Sequence, residues 1–309
     1  MSQKRSGSRR DTAENSFYGP LADPAGNAGY GEHPPRMGFF TDTSVCIGCK
    51  ACEVACKEWN EVPVSGDGDG FNLLGMSFDN TGNLGANSWR HVAFVEQPAP
   101  VDLGMPSLSR PGDGSGAETR QDFRWLMSSD VCKHCTHAGC LDVCPTGALF
   151  RTEFGTVVVQ QDICNGCGYC VSGCPYGVIE RREGDGRAWK CTLCYDRLRD
   201  GLEPACAKAC PTDSIQFGVL DELRERAAQR VSDLHSQGVE EARLYGHDPN
   251  DGVGGDGAFF LLLDEPEVYG LPPDPVVPTR DAGAMWRYAG VAASALVGLA
   301  VSAFAGRRR

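Results

Sequence analysis

The sequence predicts an α+β fold in which one small cysteine-rich unit is nested inside another, with a peripheral helix and one C-terminal membrane helix. Three observations carry that expectation. All 16 cysteines of the 309 residues fall into four groups of four. In three of the groups the last cysteine is followed directly by proline: Cys144-Pro145, Cys174-Pro175 and Cys210-Pro211. The chain then closes on a charge-free run from Tyr288 to Gly306. With 39 Gly, 19 Pro and 41% apolar residues, long regular elements should be few. Whatever the cysteines hold must supply part of the folding energy.

The third group sets the chemistry. Cys164-Asn-Gly-Cys167-Gly-Tyr-Cys170-Val-Ser-Gly-Cys174-Pro175 has the spacing C-x2-C-x2-C-x3-C-P. That is the bacterial ferredoxin run, in which three thiolates hold one 4Fe-4S cluster and the fourth belongs to the other cluster of a pair. Such a run needs a partner, and the chain offers three: Cys46, Cys49, Cys52 and Cys56; Cys132, Cys135, Cys140 and Cys144; Cys191, Cys194, Cys206 and Cys210. Two other uses of sixteen thiols compete. A disulfide framework accounts for the even count but not for three cysteines within seven residues or the trailing prolines. Structural zinc sites usually space two C-x2-4-C pairs well apart.

Crossover logic pairs the second run with the third and leaves the first to pair with the fourth. The expected ligand sets are Cys46, Cys49, Cys52 and Cys210 for a first cluster, and Cys56, Cys191, Cys194 and Cys206 for a second. Cys132, Cys135, Cys140 and Cys174 would hold a third, and Cys144, Cys164, Cys167 and Cys170 a fourth. Two ferredoxin-like domains follow, an outer one over 41–130 and 185–218 and an inserted one over 131–184, binding four 4Fe-4S clusters. His134 and His137 invite comparison with a Rieske pair, but four cysteines already fill that site, so they are expected at the surface or hydrogen-bonded around it. Trp59, Trp125 and Trp189 are expected to pack and not to relay electrons.

A formal charge of −12 disfavours a nucleic-acid binder, which would show a basic stripe. The basic residues from Arg181 to Arg199 sit beside cysteines, where they would offset anionic clusters or form a solvated charged face.

In chain order, residues 1–40 read as a polar arm. Arg9-Arg10 is followed by Asp11-Thr-Ala-Glu-Asn15 where an apolar segment is required, so no signal peptide is predicted. Asp67 and Asp69 begin but do not complete a calcium-loop pattern. Trp89 to Glu96 reads as a strand, Pro98 to Gly116 as a Gly/Pro loop, and Leu149 to Val159 as a hairpin turning at Gly155. Over 219–264, Leu220, Leu223, Ala227, Val231 and Leu234 recur at helical spacing and end near Gly238, and Phe259 to Leu263 reads as a buried strand. Gly252 to Gly257 imitates a nucleotide loop, yet it precedes a strand instead of joining strand to helix.

A proline-rich strap over 265–284 delivers the chain to a transmembrane helix over 285–306 and a basic tail, 307–309. Nineteen charge-free residues span about 28 Å at about 1.5 Å each, close to the hydrocarbon thickness. Trp286 and Tyr288 suit the interfacial belt. Gly290, Ser294, Gly298, Ser302 and Gly306 recur at every fourth residue, a small-residue ridge suited to another membrane helix. Arg307-Arg308-Arg309 places the C-terminus in the cytoplasm and the cysteine units outside, against Arg280 and Arg287 on the other flank.

Cys46-Ile-Gly-Cys49-Lys-Ala-Cys52, the Cys56-x-x-Trp59-Asn60 ending, Cys132-x-x-Cys135-x4-Cys140-x3-Cys144-Pro145, Lys190-Cys191-Thr-Leu-Cys194 and the single C-terminal span carry a resemblance. From about Gly38 onward the chain resembles the iron–sulfur (beta) subunit of membrane-bound respiratory formate dehydrogenases. Nitrate reductase relatives have Trp at one ligand position, whereas all sixteen positions here are Cys, and dimethyl sulfoxide reductase relatives lack the anchor. Insertions at 63–87 and 98–116 and the polar arm depart from the family pattern. The resemblance implies a molybdenum- or tungsten-pterin catalytic subunit, a cytochrome b membrane subunit that reduces quinone, and this chain as the wire between them. It implies no substrate site here. The corresponding subunit of a membrane-bound hydrogenase and a colourless zinc-binding scaffold are the competing readings.

Overall fold

The computed structural model describes residues 21–64, 81–97 and 124–305. Arg9-Arg10, Asp67 and Asp69, the Pro98–Gly116 loop, Gly306 and the Arg307–Arg309 tail lie outside the described residues.

A four-stranded sheet organises one side of the molecule. Its strands are β1 (Met37–Asp42), β8 (Ile215–Val219), β9 (Arg243–Tyr245) and β10 (Ala258–Leu262), in the order β8-β1-β10-β9. β1 runs parallel to β10, with Phe40 opposite Phe259, and antiparallel to β8, with Phe40 opposite Gln216. Both faces of the central pair are covered, which is why β10 reads as an unbroken apolar run, Ala-Phe-Phe-Leu-Leu, with every residue buried. Alternation divides the faces. Phe40, Phe259 and Leu261 meet Leu220, Leu223, Ala227 and Leu234 of helix α7 (Leu220–Ser236). Phe39 and Ala258 turn the other way, into the core that contains Cys52, Cys56, Cys132, Cys191 and Cys206. Burying each Phe contributes about 1.5–3 kcal/mol.

The amphipathic helix predicted to end near Gly238 is therefore α7, and the predicted strand at Phe259 is β10. The boundary drawn at residue 40 moves: Met37 to Phe40 belong to β1, and Phe39 and Phe40 are fully buried. Before it the arm carries one short helix, α1 (Pro24–Asn27), capped by the Asp23 carboxylate accepting from Gly26 N at 3.0 Å. β1 was invisible as a strand because two phenylalanines at the edge of a Gly/Pro/Asn-rich stretch carry little periodicity.

The cysteine-rich half is built from short pieces. They are α2 (Ala51–Trp59), the antiparallel pair β2 (Arg90–Gln97) and β3 (Arg124–Val131), α3 (Gly139–Asp142), and the hairpin β4 (Leu149–Arg151) and β5 (Val157–Val159). Then come α4 (Tyr169–Ser172), the pair β6 (Glu180–Arg181) and β7 (Ala188–Trp189), α5 (Tyr195–Arg199) and α6 (Ala205–Lys208). The hairpin turns at Gly155 as expected, with φ +73°. α2 packs on α6, and α3 packs on α4 so closely that a Cβ on Gly139 would stand 2.4 Å from Gly173 O. Helices bearing the first and fourth cysteine runs thus meet each other, as do those bearing the second and third.

After β10 a 3-10 turn (Pro266–Tyr269) interrupts the expected extended strap. The strap is then pinned: Val277 is buried with its N–H on Gly252 O, and the Thr279 hydroxyl donates to Asp142 Oδ2 on α3 at 2.6 Å. The apolar helix α8 (Ala282–Ala305) starts three residues earlier than predicted and is solvent-facing from Met285 through Phe304. Its 23-residue stretch Ala282–Phe304 is long and apolar enough to cross a membrane. Gly290, Ser294, Gly298 and Ser302 lie on it, and a Cβ on Gly290 or Gly298 would meet nothing within 4 Å.

Gly38 tests the sheet. A Cβ there would stand 2.3 Å from Gly257 O, a backbone atom, and 2.7 Å from Leu220 Cδ1. Gly38→Ala is expected to cost about 1–3 kcal/mol by overpacking. Gly218→Ala in neighbouring β8, whose Cβ finds Leu223 at an ordinary 3.8 Å, is expected to be near neutral. Thermal unfolding of the iron-loaded protein measures both.

Candidate iron–sulfur cluster sites

Each C-x-x-C loop bends by the same device. The residue before the second cysteine has positive φ in all four runs: Gly48 at +64°, His134 at +46°, Gly166 at +72° and Leu193 at +59°. This left-handed residue folds the loop so that both thiols face one side. In the first and third runs glycine takes the conformation freely. His134 and Leu193 bear the cost, about 1–2 kcal/mol each, and both are buried, at 2% and 0% exposure. The Cys-Pro endings also repeat, each followed after one residue by a left-handed position, at Gly147, Gly177 and Asp213.

The loops bring the predicted cysteines together. Cys46, Cys49, Cys52 and Cys210 line one cavity, and Cys132, Cys135, Cys140 and Cys174 line another. Cys56 lies in the field of Cys191, Cys206 and Cys194, and the Asn60 amide reaches both Cys56 Sγ and Cys194 Sγ at 3.7 Å. Cys170 lies in the field of Cys164, Cys144 and Cys167. Every group takes its fourth sulfur from a different run than the other three.

The four groups adjoin in a row. Cys52 couples to Cys206, Cys191 to Cys132 and Cys140 to Cys170, linking first to second, second to third and third to fourth. All cysteines of the second group are buried, while the end groups each expose one, Cys49 and Cys167. Beside these lie exposed apolar side chains: Ile47 by the first group, and Tyr169, Ile163 and Val171 by the fourth.

The donor set fits an iron–sulfur cluster. Burial pushes the Cys52 and Cys194 thiols up to about 11, and burial with the neighbouring sulfurs does the same for Cys170. Cys56 and Cys135 are raised well above the ordinary thiol range by burial and then by charged neighbours. Such thiols ionise together only around a cationic centre, and binding one must release protons. Tetrahedral zinc would draw four donors to about 2.3 Å from one point. Among the described residues no three His, Cys, Asp or Glu are grouped to hold a single metal ion; the thiols surround spaces instead.

Polar groups point at the sulfurs. The backbone N–H of Ala188 donates to Cys164 Sγ at 3.4 Å and that of Leu193 to Cys191 Sγ at 3.3 Å. Ser129 Oγ lies 3.2 Å from Cys52 Sγ, and Arg90 Nη2 donates to Cys206 Sγ at 3.2 Å. Burial opposes charge on Arg90 and Lys190. Cys206, Cys52 and Cys191 outweigh it for Arg90, and Cys132, Cys140 and Cys191 for Lys190, so both cations are held above their ordinary values.

Several expectations change here. Both histidines are buried, so the surface reading is corrected: His134 Nδ1 accepts from Val157 N at 3.1 Å, and burial followed by Lys190 and Arg151 keeps its ring neutral. The Gly252–Gly257 loop clasps the second run, its Val253 and Gly255 carbonyls accepting from His137 N and Thr136 N. Trp189 packs on Trp89 at 6.1 Å, whereas Trp59 and Trp125 are half exposed; Trp59 Nε1 donates to Asp196, and Arg197 lies over its ring. Of the basic residues from Arg181 to Arg199, Lys190 is the one that meets the sulfurs. Arg90 and Ser129 escaped sequence reasoning, because an inward-facing Arg in a strand carries no sequence mark.

Comparison with known proteins agrees with this geometry. Two models of the 4Fe-4S dicluster domain match residues 45–148 and 123–220. The iron–sulfur subunit of Haemophilus influenzae formate dehydrogenase is 39% identical over 277 residues, 88% of this chain and 80% of that one. The chain belongs to the formate dehydrogenase iron–sulfur subunit family. The nitrate-inducible formate dehydrogenase iron–sulfur subunit of Escherichia coli is likewise 39% identical, over 80% of this chain and 76% of its own. A subunit of the anaerobic dimethyl sulfoxide reductase of Escherichia coli is 33% identical over 62% of this chain and 77% of its own. As a member of this family the protein transfers electrons through 4Fe-4S clusters and does not itself transform a substrate.

Gly166 tests the loop geometry. A Cβ there would stand 2.4 Å from Gly186 O, in a left-handed residue. Gly166→Ala is expected to remove one cluster, about a quarter of the iron. Gly147→Ala, also left-handed but with nothing within 4 Å, is expected to cost about 1–2 kcal/mol and keep its iron. Iron analysis separates the two.

Proposed function

We propose that this chain conducts electrons through four 4Fe-4S clusters from a molybdenum- or tungsten-pterin formate dehydrogenase subunit to a cytochrome b membrane subunit. When bound, the clusters supply one-electron sites whose potentials follow from charge, hydrogen bonds to sulfur and burial. The protein holds them with Cys46, Cys49, Cys52 and Cys210; Cys56, Cys191, Cys194 and Cys206; Cys132, Cys135, Cys140 and Cys174; and Cys144, Cys164, Cys167 and Cys170. In this reading the ferredoxin-like unit at 131–184 is inserted in the outer one.

The observation that carries the proposal is the row itself, with a fully exposed cysteine in each end group and none in the two middle groups. A substrate enzyme needs one open site; a conductor needs two open ends and a shielded interior. The anchor root gives the row a direction. Thr279 is hydrogen-bonded to Asp142, between Cys140 and Cys144, so α8 leaves the molecule near the third and fourth groups. The fourth group then faces the membrane subunit through Tyr169, Ile163 and Val171, and the first faces the catalytic subunit through Ile47. The ridge of Gly290, Ser294, Gly298 and Ser302, continued in sequence by Gly306, would dock on a helix of the membrane subunit. The arginines after the span favour a cytoplasmic C-terminus and clusters on the outer side.

Protein prepared anaerobically from membranes is expected to be brown, with about sixteen iron atoms per chain and a molybdenum- or tungsten-pterin partner. A colourless zinc protein, or a nickel–iron partner, would sink the reading. Deleting residues 282–309 should release the chain from membranes with its iron retained.

A further inference from the structure

Two buried cations stand between consecutive sites of the row and, among the described residues, neither has a carboxylate within ion-pair distance. Arg90 is 2% exposed. One arm of its guanidinium donates to Cys206 Sγ, and the other to Ser129 O at 3.1 Å, with Ser129 Oγ 3.4 Å away and itself 3.2 Å from Cys52 Sγ. It therefore touches the second site directly and the first through Ser129. Lys190, also 2% exposed, lines the cavity of the third site, and its ammonium donates to the carbonyls of Val157 at 2.5 Å and Cys191 at 3.0 Å. Cys191 belongs to the second site, and Cys132 of the third lines the same cavity as Lys190.

The other buried cations nearby do not stand between two groups: the sulfurs that act on Arg36 and Arg151, Cys135 and Cys140, all belong to the third. Lys133 is ion-paired with Asp130. Arg36 spends its donors on His134 O and Thr136 Oγ1, and Arg151 on the carbonyls of Gly155, Cys135 and Thr136. An unpaired buried cation is costly unless something anionic offsets it, and what Arg90 and Lys190 face is cluster sulfur.

We propose that Arg90 and Lys190 are fixed positive charges each shared by two consecutive cluster sites, Arg90 by the first and second and Lys190 by the second and third. Each stabilises the added electron on both of its neighbours, raising their reduction potentials together and reducing the step between them. The low dielectric of the interior strengthens this attraction, and its fall with distance leaves the fourth site the least affected. The inference rests on the four-site reading above.

The test is a redox titration of the purified membrane complex followed by paramagnetic resonance, on protein whose iron content is measured first. Arg90→Gln is expected to shift reduction at the first and second sites at least tenfold toward the oxidised form, about 59 mV for one electron. Lys190→Gln should do the same at the second and third, the fourth staying put in both. Arg90→Lys and Lys190→Arg, which keep the charge, should recover most of the shift. Ser129→Ala, neutral and close in size, should lower the first site alone, and it decides the matter where a glutamine variant loses iron. Unchanged midpoints in iron-loaded Arg90→Gln, Lys190→Gln or Ser129→Ala protein, or equal shifts at all four sites, overturn the inference. Wild-type protein holding far less than about sixteen iron atoms per chain would instead overturn the four-site reading itself.

Discussion

Convergence of sulfur from distant parts of the chain is the constraint on which the rest of the structure depends. Cys46 and Cys210 line one cavity although 164 residues separate them in sequence. The elements that bring them there are too short to be stable alone: α3, α4 and α6 have four residues each, and β6 and β7 two. Isolated helices of that length do not form in water, so local propensity does not build this half of the molecule. Ligation can. In the proposed ligand sets each run spends three thiols on one site and lends the fourth to another, so filling a site would tie two runs together, and folding energy and cofactor affinity would become one quantity. The sheet with α7 is the part with a conventional apolar core, and its cluster-facing side, through Phe39 and Ala258, gives the cysteine half a wall to assemble against.

Charge follows from the same convergence. Sixteen thiolates gathered into adjoining groups would repel one another, and burial of seven of them removes the water that would screen the repulsion. Iron supplies part of the positive charge, and the protein supplies more with buried Arg36, Arg90, Arg151 and Lys190, in a chain whose overall balance is −12. A net acidic surface with cations held inward is the reverse of a nucleic-acid binder. It matches a protein whose most demanding anions are its own cofactors.

Cysteine spacing made the site legible because ligation chemistry is local: C-x2-C-x2-C-x3-C-P fixes three sulfurs within one loop and forces a partner for the fourth. The pairings drawn from that rule coincide with the cavities that Cys46, Cys49, Cys52 and Cys210 and Cys132, Cys135, Cys140 and Cys174 line. The helix at Leu220 and the strand at Phe259 were legible for an equally local reason, their periodicity. Long-range packing was not. Nothing in Met37-Gly-Phe-Phe-Thr-Asp42 announces the central strand of a sheet, since its partners lie at 215–219 and 258–262. The burial of His134 depends on the Gly252–Gly257 loop folding over it, with the Val253 and Gly255 carbonyls facing the second run, and no local pattern announces that contact.

The proline-rich strap joins the two physical regimes of the chain. α8 has 24 residues, about 36 Å at 1.5 Å per residue, enough for a bilayer core of about 30 Å. Its apolar side chains from Met285 to Phe304 are exposed, a state that water penalises and lipid does not. A helix on a loose tether would anchor the chain without orienting it. Here Val277 is buried against Gly252 O and Thr279 is bonded to Asp142, so the tether is clamped within two cysteines' reach of the third and fourth groups. In the proposed assembly, an anchor fixed at that end would set which end of the row meets the membrane, and an anchor root placed instead beside Cys49 would reverse it. Direction in that assembly would be set by one short strap and not by the cysteines, whose runs are nearly symmetric in their loops and turns.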